Sequence, residues 1–308
     1  MNTVRIATRK SPLALIQADF VAARLRDLHE GLTVELLPMS TRGDRLLDAP
    51  LAKVGGKGLF LKELEHALLD GRADIAVHSV KDVPVDFPEG LHIPVIMTRE
   101  DPRDALVSAA GADIDGLPKG ARIGTSSLRR RCQVNALRPD LEVVELRGGV
   151  RTRLEKLDAG EYDALLLACA GLKRLGLEAR IRESLDPDRF VPAIGQGALG
   201  IETRRDSGAV NALVAPLNDD PSAVCVRAER AMNAALGGGC QVPIAGHAVL
   251  EENNLRLVGL VASIDGSEVI RTADSAPSSD PEALGKAVAE VLIGRGARRI
   301  LDAVYADA

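Results

Sequence analysis

Tryptophan is absent from this chain, and aromatic residues make up only 2% of it. A stacking surface for single-stranded nucleic acid needs more π-faces than that. The formal net charge of −5 likewise argues against a general polyanion binder. No apolar stretch approaches the ~18 residues of a membrane span, and Met1–Thr8 leads straight into a strand-like segment with no apolar signal core. A cytoplasmic protein is expected, without a nucleic-acid or membrane partner, and the lack of a long apolar surface stripe favours a monomer. The phosphate-loop pattern G-x-x-x-x-G-K-[ST] is missing as well. Cysteine is scarce: Cys132, Cys169, Cys225 and Cys240 show no C-x-x-C pair and no metal-ligand spacing, so neither disulfides nor a metal site is expected.

What is present is ample core material. Of 308 residues, 46% are hydrophobic, enough for two or three domains. Val4–Thr8 reads as a strand; Ser11-Pro12 opens a helix, with serine as cap and proline in the first turn, that runs through Leu28. Leu32–Met39 (strand), Leu59–Leu69 (amphipathic helix) and Asp74–His78 (short buried strand) continue the alternation. A second unit begins near Arg103 with strand Arg122–Thr125, helix Ser126–Leu137, strand Leu141–Leu146, a helix near Thr152–Ala159 and strand Ala164–Leu167. These βαβ patterns predict α/β domains with mainly parallel sheets. After the glycine-rich connection Pro192–Ala198, Leu199–Thr203 reads as a strand that could return to the first domain. From about Asp220 the grammar changes to helix Ser222–Leu236, strands Ile244–Leu250, Leu255–Ile264 and Ser267–Ala273, and helices Pro281–Ile293 and Ala297–Val304, which is a small antiparallel α+β domain. The expected division is 1–97 with 198–215, then 103–191, then 220–308.

Cys240 stands apart from the other cysteines. Cys169 and Cys225 lie in apolar surroundings and read as core, whereas Cys240 follows Gly237-Gly238-Gly239 and precedes Gln241-Val242-Pro243, a turn that can present sulfur to a bulky group. Four basic clusters fall at strand ends or helix starts: Arg9-Lys10-Ser11; Lys53 through Lys57 to Phe60; Gly124-Thr125-Ser126-Ser127-Leu128-Arg129-Arg130-Arg131; and Arg147-Gly148-Gly149-Val150-Arg151-Thr152-Arg153. Any one is more often a solvated helix face. Four together suit a multiply charged anion, which forked guanidinium groups and helix N-termini bind well. Among them Asp82 follows a short apolar strand beside Lys81, as an ordinary turn aspartate or as an anchor for a developing cation. His78 is expected to pack at the strand end, since no Ser-His-Asp or Cys-His pattern accompanies it.

Arg5–Ala14, Lys53–Phe60, His78–Pro84, Gly124–Arg131 and Gly239–Pro243 together, in order and across essentially the whole chain, resemble the porphobilinogen deaminase (hydroxymethylbilane synthase) family. The resemblance implies two similar domains of the type II periplasmic-binding-protein kind with the site between them, plus a C-terminal α+β domain bearing the cofactor cysteine. It implies a dipyrromethane joined to Cys240 by a thioether, with porphobilinogen as substrate. Four units are added, each with loss of ammonia, and water releases 1-hydroxymethylbilane. It assigns Asp82 to stabilising the ring N–H groups of the electron-poor azafulvene and of the cation formed on attack. It assigns Ser79, Lys81, Thr125, Ser127, Arg129, Arg130, Arg147 and Arg153 to cofactor and substrate carboxylates, and Arg9 and Ser11 to the incoming unit. Lys53, Lys57 and Phe60 fall on a loop over the cleft, and Gln196 lies near the cofactor.

The chain departs from the family pattern at Gly149, where asparagine is usual, and at Arg151. Glycine is expected to keep the positive-φ turn there while losing a side-chain contact; the role of Arg151 stays open. Two rivals come from other classes. A solute-binding module could use two α/β lobes around a basic cleft, but would need neither Asp82 nor a glycine-framed Cys240. A phosphoryl-transfer enzyme would want the missing phosphate loop and a carboxylate cluster for metal.

Overall fold

The computed structural model describes residues 2–41, 61–239 and 242–306. Strand β1 (Thr3–Arg9) leads into helix α1 (Pro12–Leu28). The cap is as the sequence suggested: Ser11 Oγ accepts from the Ala14 N–H at 3.3 Å and Pro12 occupies the first turn. Gln17, Ala18, Val21, Ala22 and Leu25 form the buried stripe of α1, at the i, i+4, i+8 spacing of one helix face. Strand β2 (Thr33–Met39), helix α2 (Lys62–Leu69), β3 (Ile75–Ser79) and β4 (Leu91–Ile96) follow. The remainder of the expected Leu59–Leu69 helix, and the whole of Lys53–Phe60, lies outside the described residues.

Strand β5 (Asp104–Ser108) opens a second sheet, with β6 (Arg122–Gly124), α3 (Leu128–Leu137), β7 (Glu142–Val144), α4 (Val150–Asp158), β8 (Ala164–Ala168), α5 (Cys169–Arg174) and β9 (Glu183–Ser184). Strand β10 (Leu199–Arg204) belongs to the first sheet, followed by α6 (Gly208–Val214). The first sheet runs β2-β1-β3-β10-β4 and the second β7-β6-β8-β5-β9, the same order strand for strand. In each, four strands point the same way, and the one that arrives from the other lobe, β10 or β5, is antiparallel to both its neighbours. Each sheet is therefore parallel but for that one strand, which enters at the end where its neighbours leave the sheet. Two α/β lobes of one topology, exchanging a strand each way, make the architecture of type II periplasmic binding proteins.

The third unit comprises α7 (Asp220–Ala235), the antiparallel meander β11 (Ile244–Glu251), β12 (Asn254–Ala262) and β13 (Val269–Pro277), and helices α8 (Pro281–Gly294) and α9 (Ala297–Ala306). Its own core gathers Met232, Leu236, Leu255, Leu257, Val288 and Leu292. Two apolar seams tie it to the lobes: Cys132 and Val191 pack on Ala245, Val258 and Leu260, and Val226 packs on Val80, Ile96 and Ala198. Cys169 and Cys225 are buried, as their apolar surroundings indicated. Among the described residues no helix is long and apolar enough to cross a membrane.

Both crossovers between the lobes are pinned by one carboxylate. Glu229 of α7, fully buried, accepts from Arg99 Nη1 at 2.6 Å on the first crossover, from the Gly195 N–H at 2.6 Å on the second, and from the Ala248 N–H at 2.8 Å in β11. Burial opposes its ionisation, but Arg99 and His247 more than offset that and hold the carboxyl down to about 2. The two crossovers also touch each other, Glu100 N–H donating to Gly197 O at 3.2 Å. Gly197, at φ 90, has no room for a Cβ against the Glu100 carbonyl.

Candidate active site

The loops at the C-terminal ends of β1, β3, β6 and β7 carry the basic clusters, where an open α/β sheet presents its ligand crevice. On the first lobe β3 ends at Ser79, and Val80–Asp82 form one 3₁₀ turn that leaves Lys81 partly covered and Asp82 exposed. Ser79 Oγ accepts from Gln17 Nε2 of α1 at 3.0 Å, which joins this turn to the helix that Arg9 and Ser11 introduce. His78 is buried and bonded to Glu202 at 2.8 Å, so it packs at the strand end as expected.

On the second lobe Thr125 is buried and its Oγ1 accepts from the Ser127 N–H at 3.2 Å. Ser127 caps α3, accepting from the Arg130 N–H at 3.4 Å, so the helix starts two residues later than the periodicity predicts. Arg129 and Arg130 then turn onto one carboxylate. Asp104, the first residue of β5 and fully buried, accepts from Arg129 Nη1 at 2.7 Å and from Arg130 Nη2 at 2.7 Å. Each arginine also reaches a backbone carbonyl, Arg129 to Val191 O at 2.8 Å and Arg130 to Leu166 O at 2.9 Å.

The remaining arginines sit around α4. Arg147 donates to Glu145 at 2.7 Å, Arg153 Nε donates to Gly148 O at 2.7 Å, and Arg151 is exposed. The departure at Gly149 resolves differently from expectation: Gly149 is the extended cap of α4, at φ −68, and the left-handed residue is Gly148, at φ 110. The loop therefore asks nothing of Gly149 that another residue could not supply.

Gln196, buried in the second crossover, links the lobes. Its Oε1 accepts from Lys81 Nζ at 3.4 Å, while its Nε2 donates to Pro102 O at 2.7 Å and to Asp104 at 3.2 Å. One cavity is lined by Lys81 from the first lobe, Ser127 and Arg129 from the second, Ala193 and Ile194 from the crossover, and Arg230, Asn233, Gly239 and Val242 from the third unit. Arg230 also holds the chain after Asp82, donating to Val83 O at 3.1 Å and Pro84 O at 2.7 Å, with its guanidinium 5.4 Å from the Phe87 ring centroid. Cys240 lies outside the described residues, as do Lys53, Lys57 and Phe60; Gly239 and Val242, which bracket Cys240 and Gln241, are on the cavity wall.

The electrostatics show what the cleft lacks. Lys81 is held down to about 8, first by the surrounding protein and then by Arg130 and Arg129, against the pull of Asp82 and Asp104. Arg153 is pushed down to about 10 by burial and by Arg130 and Arg147, with Asp82 opposing. Neither has an ion-pair partner among the described residues. Depressed cations close together favour anionic ligand groups beside them. A dipyrromethane bearing acetate and propionate groups supplies them, so the residues present fit that group.

Of the site residues read from sequence, Lys81, Asp82, Ser127, Arg129, Arg130, Arg147, Arg153 and Gln196 are brought within mutual contact or electrostatic reach. Arg9 and Ser11 lie at the start of α1, which Gln17 ties to Ser79 at the end of β3. Asp104, Gln17 and Arg230 escaped the sequence reading. A lone aspartate opening the apolar run Ala105-Leu106-Val107 was a usable signal for the first; the other two carry none.

The family model described as "Porphobilinogen deaminase, dipyromethane cofactor binding domain" matches residues 4–212, and that described as "Porphobilinogen deaminase, C-terminal domain" matches residues 223–294. The chain belongs to the porphobilinogen deaminase family. Its activity is accordingly that of a hydroxymethylbilane synthase, a transferase of tetrapyrrole biosynthesis that condenses porphobilinogen with the aid of a dipyrromethane cofactor. Among solved structures, the chain is similar to the VFT2 domain of BvgS from Bordetella pertussis at 17% identity, over 70% of this chain and 85% of that one, with a TM-score of 0.42. It is similar to a YaeC-family lipoprotein from Enterococcus faecalis at 14% identity, over 71% and 92%, with a TM-score of 0.43. A TRAP periplasmic solute binding protein from Desulfovibrio salexigens matches at 13% identity, over 70% and 72%, with a TM-score of 0.42.

Proposed function

We propose that this porphobilinogen deaminase is a cytoplasmic monomer whose dipyrromethane is carried on Cys240 by a thioether, with the cleft between residues 1–97 plus 198–215 and residues 103–191 as its site and residues 220–308 as the carrier. The observation that carries the proposal is the pair of depressed cations Lys81 and Arg153, neither in an ion pair among the described residues, in a cleft whose wall includes the residues bracketing Cys240 and Gln241. When bound, the dipyrromethane supplies the nucleophilic pyrrole carbon to which porphobilinogen units are joined.

The chain's own residues do the rest. Lys81, Arg153, Arg147 and the free N–H groups of Arg129 and Arg130 take the acetate and propionate groups; Ser79, Thr125 and Ser127 add neutral donors. Forked guanidinium groups suit these carboxylates because each can offer two parallel N–H bonds. Asp82 stands beside this cationic ring as an exposed carboxylate. It stabilises positive charge on pyrrole N–H groups as ammonia leaves and the new carbon–carbon bond forms, a charge that the surrounding cations would otherwise disfavour. Arg9 and Ser11 hold the incoming unit; Lys53, Lys57 and Phe60 cover it.

Intact mass of the denatured protein, with peptide mapping around Cys240, tests this reading. An increment of two porphobilinogen units less two ammonia on Cys240 supports it, as does loading of that increment when apoprotein is incubated with porphobilinogen. An unmodified Cys240 that refuses to load under those conditions overturns the attachment site.

A further inference from the structure

Asp104 is the most heavily engaged side chain in the cleft. Its Oδ1 takes Arg129 Nη2 at 3.1 Å, Arg130 Nε at 2.9 Å, Arg130 Nη2 at 2.7 Å and Gln196 Nε2 at 3.2 Å, and its Oδ2 takes Arg129 Nη1 at 2.7 Å. No part of it is exposed, so it touches no ligand itself. Arg129 and Arg130 are consecutive on a helix, where side chains diverge by about 100°; a shared acceptor overcomes that divergence. Of the five N–H donors on each guanidinium, three are spent on Asp104 and a backbone carbonyl, which leaves two directed elsewhere. Gln196 passes the constraint across the crossover, since the amide that bonds Asp104 presents its oxygen to Lys81 on the other lobe.

We propose that Asp104 is a positioning residue for the condensation: one buried carboxylate that fixes the free N–H groups of Arg129 and Arg130 and, through Gln196, keeps Lys81 of the opposite lobe in register with them. The proposal rests on the reading that these three cations hold ligand carboxylates. A purely packing role would leave their charge and aim unaffected when Asp104 is replaced by a residue of equal volume. A positioning role would not. The charged groups facing Lys81 are Asp82 beside it, Asp104 of β5, and Arg129 and Arg130 of α3. Asp104 favours the ammonium form, so its loss moves the Lys81 titration to lower pH.

The test uses the full-length Asp104→Asn variant, loaded and as apoprotein, with porphobilinogen as the probe. The expected results are a KM for porphobilinogen raised roughly 30-fold, as for loss of one partner from a buried charged cluster, and a kcat changed far less. The reaction of Lys81 with an amine reagent, mapped by peptide mass across pH 6–11, is expected to have its midpoint below the wild-type value. Adding Lys81→Arg to Asp104→Asn is expected to remove the alkaline dependence of KM. Should Asp104→Asn fail to fold, Gln196→Met keeps the carboxylate–arginine bonds and removes the amide's own bonds to Asp104, Pro102 O and Lys81; it is expected to raise KM. Wild-type KM and an unmoved Lys81 midpoint in the folded Asp104→Asn variant, or wild-type KM in Gln196→Met, overturns the proposal. Arg129→Gln separates the two failures. Loss of cofactor loading in that variant beside a normal Asp104→Asn enzyme refutes Asp104 alone, and normal loading and KM in it refute the underlying reading of the arginines.

Discussion

The depressed ammonium of Lys81 has a thermodynamic consequence that separates the loaded from the empty enzyme. In the empty protein Lys81 gives up its proton near 8 rather than at the usual 10.5. That difference corresponds to at most ~3 kcal/mol of unfavourable charge, and partial exposure of the side chain screens it to about 1–2 kcal/mol. The folded-state value lies below the unfolded one, so between pH 8 and 10.5 the unfolded chain holds more protons and the empty protein gains stability as pH rises. Ligand carboxylates beside Lys81 remove the penalty. The stability difference between loaded and empty protein is therefore greatest below pH 8 and shrinks by about 1–2 kcal/mol towards pH 10.5. In scanning calorimetry of the two forms at a series of pH values, the gap between their midpoints is expected to narrow by about 2–4 °C. Lys81→Arg, which does not titrate in this range, is expected to keep a constant gap. A wild-type gap independent of pH, or the same narrowing in Lys81→Arg, would refute the assignment of Lys81 to the ligand carboxylates.

Other outcomes follow from the same geometry. Asp82→Ala is expected to fold normally, because the side chain is exposed, and to lose condensation about 10³-fold, the scale of a removed electrostatic stabiliser; substantial turnover would take Asp82 out of the chemistry. Cys240→Ser is expected to retain no covalent cofactor when its intact mass is measured, and a stable adduct would contradict the attachment. Glu229→Ala leaves Arg99 buried without its partner and is expected to destabilise the fold by about 3–5 kcal/mol, measured by denaturant unfolding. Because the Glu229 carboxyl sits at about 2 when folded and near 4.5 otherwise, its stabilisation is complete above about pH 4.5 and is lost as pH falls towards 2. An acid midpoint unchanged in Glu229→Gln would disprove that account.

Much of the secondary structure was legible because its signals are local. Ser11-Pro12 marks the start of α1 through a cap and a missing N–H, both properties of adjacent residues. The apolar stretch Ile75–Val77 is local in the same sense. Strands β4, β5 and β9 went unread. Leu91–Ile96 contains a proline and a histidine, Asp104–Ser108 opens on a charge, and Glu183–Ser184 is too short to carry a period. All three are strands because a neighbour at the sheet pairs with them, β10 with β4 and β5 with β9, and that neighbour is distant in sequence or separated by a crossover. The mixed direction of the sheets has the same origin: chain direction at β5 and β10 is set by the route between lobes, which no residue pattern encodes locally.

By itself the sequence determined which residue types gather where: a surplus of arginine and lysine at strand ends and helix starts, one aspartate among them, and one cysteine framed by glycines. Those are what the proposed ligand and attachment require, and residue type states them directly. Only the tertiary structure decided how the charges divide. Arg129 and Arg130 lie 25 and 26 residues from Asp104, and Gln196 lies 92 residues beyond it, yet all three meet on its two oxygens. Folding therefore commits part of each guanidinium to an internal carboxylate, whereas Lys81 and Arg153 bond only neutral partners, Gln196 and Gly148 O, among the described residues. The physical reason is that ion pairing and desolvation depend on distance in space, whereas the sequence supplies only order along the chain.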